Sequence, residues 1–205
     1  MKTEQKSAGG SLVELVVIVG VALALALGIQ AFLVKPYRIP SESMVPTLAV
    51  GQRVLVNRIG HRFSDPNVGD VVVFHPPLGS ETDTCGDQSR DENAACDRPT
   101  PGKAKVNFIK RVVAGPGDVI RIVDGHVIRN GKREKESYIS HTCDNNANRG
   151  CTMSTPITIP PGHWFMMGDN RGESDDSRFW GPVPRSAIIG GAFATYWPPS
   201  RIGLL

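Results

Sequence analysis

From Leu12 to Val34 the chain is apolar, broken only by Glu14 and Gln30. Wound as a helix, that run would be about 34 Å long, enough to cross the hydrocarbon core of a bilayer. Ser11-Leu12-Val13-Glu14 has the form of a capping box at its start. Lys35-Pro36 closes it, because the residue before a proline is pushed out of the helical region while lysine reaches toward headgroups. The pattern predicts a single transmembrane helix over residues 11–35, preceded by a polar tail, residues 1–10, carrying Lys2 and Lys6. Ala24-Leu25-Ala26 offers the small-x-small pattern of a cleaved secretory segment, but the apolar run exceeds the ~7–15 residues of such a core.

After Pro36 the apolar runs become short and are bounded by turn residues. Arg53-Val54-Leu55-Val56 and Val71-Val72-Val73-Phe74 read as strands, the second announced by Gly69-Asp70. Val119 to Val123 alternates, meets Asp124-Gly125, resumes as His126 to Arg129 and meets Asn130-Gly131, dipeptides that accept the positive φ of hairpin turns. Val106–Val113, His163–Met167 and Ala187–Trp197 add further strands, the last with a glycine bend. The expected fold is mostly β: the N-terminal helix, then a compact antiparallel β-sheet domain over residues 36–205, with polar inserts near 80–104 and 141–153.

Twenty-two glycines and sixteen prolines agree with a strand-and-turn protein. Lys and Arg total 23 against 20 Asp and Glu, a net charge of +3 with the basic residues scattered; this excludes a nucleic-acid footprint and leaves a surface that suits anionic lipid. Orientation does not follow from charge, because Lys35, Arg38, Arg53 and Arg58 follow the helix as closely as Lys2 and Lys6 precede it. The cysteines decide it. Cys85 and Cys96 lie in one insert, Cys143 and Cys151 in the other, and local pairing within each is the favoured arrangement among those open to them. Each such disulfide would contribute ~2–3 kcal/mol and requires an oxidising compartment, which places the N-terminus in the cytoplasm and the β domain outside. A zinc site using His141 and Cys143 competes, as do plain buried thiols. No Cys-x-x-Cys spacing supports the zinc reading, so no metal is expected.

Pro40-Ser41-Glu42-Ser43-Met44-Val45-Pro46-Thr47-Leu48 sets two hydroxyls beside prolines directly after the apolar helix. A serine needs a neighbouring base to become a nucleophile. Five histidines are present, but none shares a motif with a serine, and no Gly-x-Ser-x-Gly elbow occurs. Lys110 sits inside an apolar strand, and a lysine pointing inward there would lose water and become a weaker cation, a shift to about 8 requiring ~3 kcal/mol. Arg111 stays charged and alternation sends it to the opposite face. Ser41 and Ser43, two apart, would share a side of an extended segment. Taken alone, these features also fit a turn and an exposed strand lysine.

The serine box, Phe108-Ile109-Lys110-Arg111-Val112-Val113, Gly168-Asp169-Asn170-Arg171 and Asp176-Ser177-Arg178, in that order, resemble the boxes of bacterial type I signal peptidases. The resemblance runs from the membrane helix through Gly115-Pro116-Gly117-Asp118 to Gly181. It implies that Ser43 is the nucleophile and Lys110 the general base. Ser41 and the backbone amide of Ser43 would form the oxyanion hole, Ser174 would orient the lysine, and Asp176 with Arg178 would form a structural pair. It implies removal of signal peptides from exported preproteins beside the bilayer and near the export translocon, with no cofactor. Gly172-Glu173 stands where the family more often has Asp-Asn, and the cysteine inserts have no counterpart. A soluble self-cleaving repressor-type peptidase would share the dyad, and a catalytically dead binding module would share the scaffold.

Overall fold

The computed structural model describes residues 8–140, 143 and 150–205. Its first element is a continuous helix, α1, over Ala8–Phe32. This corrects the expected span of 11–35 at both ends. Ser11 lies inside the helix instead of capping it, and the chain turns extended at Val34, so Lys35-Pro36 belongs to a strand. The pairing energy of that strand outweighs the continuation of the apolar helix, since every residue of Val34–Arg38 opposes one of Arg53–Asn57. Of the expected polar tail, residues 1–7 lie outside the described residues. Among the described residues, no helix is long and apolar enough to cross a membrane.

The rest is antiparallel β, as the short apolar runs predict. The strands are β1 (Val34–Arg38), β2 (Arg53–Asn57), β3 (Val71–Phe74), β4 (Phe108–Ala114), β5 (Val119–Val123), β6 (His126–Arg129), β7 (Lys132–Arg133), β8 (Met153–Thr158), β9 (His163–Met167), β10 (Val183–Pro184), β11 (Ile188–Trp197) and β12 (Gly203–Leu204). Two short helices, α2 (Gly60–Phe63) and α3 (Ser177–Trp180), join them. The larger sheet runs β1-β2-β11-β3-β4-β9-β10, with β12 against β11; the smaller runs β7-β6-β5-β8. Asp124 and Asn130 adopt positive φ in the turns that flank β6, as the hairpin signal requires. Gly190 lets β11 approach β2 closely, since a side chain there would collide with the carbonyl of Asn57, and the register of β11 against β3 shifts between Ile188 and Gly190.

β3 is buried on both faces and divides two cores. Val72 and Phe74 join a cluster with Val112, Ile120, Phe165 and Trp180. Val71 and Val73 join Ile39, Met44, Leu48, Val54 and Val56. The second cluster matters for function, because Met44 and Leu48 of the serine box are its plugs and hold that loop against the sheet.

Both cysteine pairs are local. Cys85 bonds Cys96 and Cys143 bonds Cys151, with Cα atoms 5.7 Å and 5.5 Å apart. The insert near 80–104 is fastened to the main core, since Ala94 and Ala95 are part of it and the amide of buried Cys96 donates to the Arg178 carbonyl at 2.9 Å. The other insert ends earlier than expected, because Met153 already opens β8. His141 lies outside the described residues. Among the described residues, no group of His, Cys, Asp or Glu is arranged to hold a metal.

Candidate active site

Ser43 and Lys110 line one groove of ≈ 550 Å³, together with Ser41. The serine arrives there on a tight turn. Ser41 is extended, but Glu42–Met44 forms a single 3₁₀ turn, so the expectation of an extended segment holds only for its first half. The turn nevertheless brings the two hydroxyls together, Ser41 Oγ and Ser43 Oγ being 3.3 Å apart. Ser43 is 6% exposed and Ser41 lies open to solvent. No hydrogen bond joins Ser43 to Lys110 among the described residues; both line the same groove.

Lys110 lies on β4 opposite Val72 of β3, and alternation turns it away from Arg111, which is opposite Val71. Lys110 is 4% exposed. Its Nζ lies 5.8 Å from the Phe108 ring, and Phe108 packs edge-on against Phe74 at 6.5 Å. This apolar setting lowers the amine from its ordinary 10.5 to about 8; desolvation is the main cause, Asp176 opposes it and Arg178 adds to it. An amine of that strength is neutral for a useful fraction of the time near pH 8.

Gly168 sets the distance between the remaining parts. A side chain there would collide with both Ser174 Oγ and the carbonyl of Ser43, so only glycine lets these two approach. Ser174 Oγ is buried and has no hydrogen-bond partner among the described residues. Buried hydroxyls without partners are costly, and their presence in a site marks a group kept for use. Next to it, Asp176 and Arg178 form a fully buried pair, Nε to Oδ1 at 2.8 Å, while Asp176 Oδ2 accepts from the Gly168 amide at 3.0 Å. Burial works to raise Asp176, but the Arg178 charge and hydrogen bonds hold its carboxyl below the usual value.

A second set of contacts clamps the serine box to β4. Arg111 pairs with Asp169 at 2.6 Å, and Thr47 Oγ1 donates to the same carboxylate. Asn170 donates from its amide to the Ser43 carbonyl at 3.0 Å and from Nδ2 to the Glu42 carbonyl at 3.2 Å. Arg171 is fully buried, donates to the carbonyls of Gly168 and Gly125, and pairs with Glu136 at 2.7 Å. Tyr138 lies under the Arg111 guanidinium, 4.0 Å from ring centroid to charge.

Each sequence-derived site residue therefore falls in one neighbourhood: Ser41, Ser43 and Lys110 on the groove, Ser174 beside the Ser43 carbonyl, Asp176 and Arg178 behind it. Sequence reasoning missed Glu136 and Tyr138, which sit in a polar stretch with no motif. It also gave no role to Thr47 or Arg171, although both lie inside the quoted boxes. Their signal was a charge or hydroxyl within a box whose other members pointed to the site.

The family described as "Signal peptidase, peptidase S26" matches residues 12–197. A signal peptidase I of Leptolyngbya laminosa is 37% identical over 98% of this chain and 87% of its own length. A probable signal peptidase I-1 of Synechocystis is 38% identical over 90% of this chain and 82% of its own length. The probable thylakoidal processing peptidase 2 of Arabidopsis thaliana is 34% identical over 88% of this chain and 43% of its own. A crystal structure of a signal peptidase I from Enterococcus faecalis superposes with a TM-score of 0.40 at 22% identity, covering 62% of this chain and 97% of that one. On the family match and the extent of these similarities, the chain belongs to the signal peptidase family, peptidase S26, and is a hydrolase of that class.

Proposed function

We propose that the chain is a membrane-anchored serine endopeptidase that removes N-terminal signal peptides from exported preproteins, with Ser43 as nucleophile and Lys110 as general base. The observation that carries this reading is the buried Lys110 amine, lowered to about 8 and lining the same groove as Ser43. Neutral Lys110 takes the Ser43 proton as Oγ attacks the scissile carbonyl carbon. The oxyanion that forms is held by the Ser41 hydroxyl and the Ser43 amide, donors of a kind worth several kcal/mol at the transition state. The Lys110 ammonium then protonates the departing amine. The acyl-enzyme is hydrolysed by a water whose proton returns to Lys110. Ser174 orients the lysine, and Asp176 with Arg178 holds the segment that carries it. Shallow pockets would accept small side chains at the first and third residues before the cut.

Anchoring is supported by α1, whose large apolar side chains from Leu12 to Leu27 are exposed on every side, Leu12 by 66% and Leu27 by 63%. A helix apolar all round and uncovered by protein suits lipid. Tethering would raise the concentration of the site near the bilayer face where translocated preproteins emerge from the export translocon. The two disulfides support an extracytoplasmic domain and a cytoplasmic N-terminus.

The test is cleavage of a purified preprotein by the full chain in detergent. Ser43→Ala should reduce product formation by at least ~10³-fold while leaving the fold intact. Undiminished cleavage by Ser43→Ala refutes the nucleophile assignment. Protection of the β domain from protease added outside spheroplasts refutes the orientation.

A further inference from the structure

The groove that holds Ser43 and Lys110 is edged by two carboxylates that the proposed dyad does not use. Glu173 and Asp175 flank buried Ser174 and both lie on the groove lining. Ser174 is extended, with φ −130° and ψ 119°, so its neighbours face the opposite way, and both are exposed. Neither carboxylate takes part in an ion pair or hydrogen bond among the described residues, although the Asp175 charge acts at longer range on Lys110. Three other acids near the site are committed, Asp169 to Arg111, Asp176 to Arg178 and Glu136 to Arg171, while Glu42 is exposed in the serine box but does not line the groove. Among the described residues, the cations on the same lining are Arg38 and Lys110. The walls between are apolar, Val73 and Phe108 among them, and low-dielectric walls focus the field of unpaired charges over a cleft.

We propose that Glu173 and Asp175 are specificity-determining residues which favour preproteins carrying a lysine or arginine within a few residues of the scissile bond and disfavour an acid there. This rests on the Ser43–Lys110 reading and names the substrate class that site would prefer. Both carboxylates are exposed, so the effect is a preference and not a requirement. A single pair of this kind contributes up to about fivefold, and salt weakens it. Arg38 acts in the opposite sense wherever a substrate side chain lies nearer to it than to the two acids, so the preference depends on position along the peptide.

The experiment uses the full chain in detergent and a preprotein that it processes, with Lys, Ala or Glu placed singly at successive positions on either side of the bond. Rates are compared at about pH 9, above the titration of Lys110, so that loss of the Asp175 charge does not act through the base. At ~20 mM salt, Lys should exceed Glu in kcat/KM by about three- to tenfold at one or more positions, and the ratio should shrink at ~0.5 M. The double variant Glu173→Gln, Asp175→Asn should bring the ratio of Lys to Glu substrates below about twofold. Glu173→Lys with Asp175→Lys should invert it. Equal rates for Lys and Glu at every position, or a preference unchanged in the neutral double variant, overturn the inference. Failure of the wild-type chain to process any preprotein overturns the parent reading and the inference with it.

Discussion

Lys110 shows how a single residue trades stability for chemistry. Its folded value of about 8 lies below the ordinary 10.5, so between these values the unfolded chain binds more protons than the folded one. Stability therefore rises with pH through that window, and at pH 7 the full penalty of about 3 kcal/mol is present. Lys110→Met, close in volume and uncharged, should raise the thermal midpoint at neutral pH by several degrees while abolishing preprotein cleavage. Calorimetry and a cleavage assay on the same preparation check this, and a Met variant less stable than wild type contradicts it. The residue was legible because a lysine inside a β-branched run must either be exposed or lose water. What decided between these outcomes was the packing of Phe74, Phe108 and Trp180, which lie far apart in sequence and could not be read from it.

At the scale of elements, the site is a loop pressed onto one of the two cores and stitched to a neighbouring segment through Gly168. Gly168→Ala would place a methyl against Ser174 Oγ and the Ser43 carbonyl, so one of them must move. We expect a loss of about 1–3 kcal/mol in stability and a fall in kcat of at least ~10²-fold, because the nucleophile shifts by a substantial part of an ångström. Denaturant unfolding and single-turnover kinetics separate the two, and a variant with normal kcat would show that this approach is dispensable. Most strands could be read from alternation and turn dipeptides, β3 and the β5–β6 hairpin above all. β1 could not, because its residues looked like the end of an apolar helix, and the pairing with β2 that makes them extended is a tertiary event. β8 was hidden for a related reason: its alternation includes a proline and follows directly on a cysteine loop. Glu136 was hidden because a buried acid in a polar stretch looks like any surface acid until Arg171 is found beside it.

The whole molecule is a β body with two disulfide-closed loops, a bare apolar helix at one end and an active-site groove whose base is buried in the sheet. The Cys85–Cys96 loop covers α3, where the Cys96 amide and Arg90 both bond to the Arg178 carbonyl. Reduction of both disulfides should lower unfolding free energy by about 4–6 kcal/mol, measured by denaturant titration with and without reductant; no change contradicts a stabilising role. The family was legible because its boxes stand in order along the chain, and the roles of individual residues within them needed the fold to bring the boxes together. The most direct test of the central claim is the pH dependence of kcat/KM for preprotein cleavage by the full chain. If neutral Lys110 activates Ser43, the rate rises with a single ionisation near pH 8, the value set by burial of that amine. A profile with no ionisation between about pH 7 and 9, or one whose rising limb persists unchanged in an active Lys110→Met variant, contradicts it.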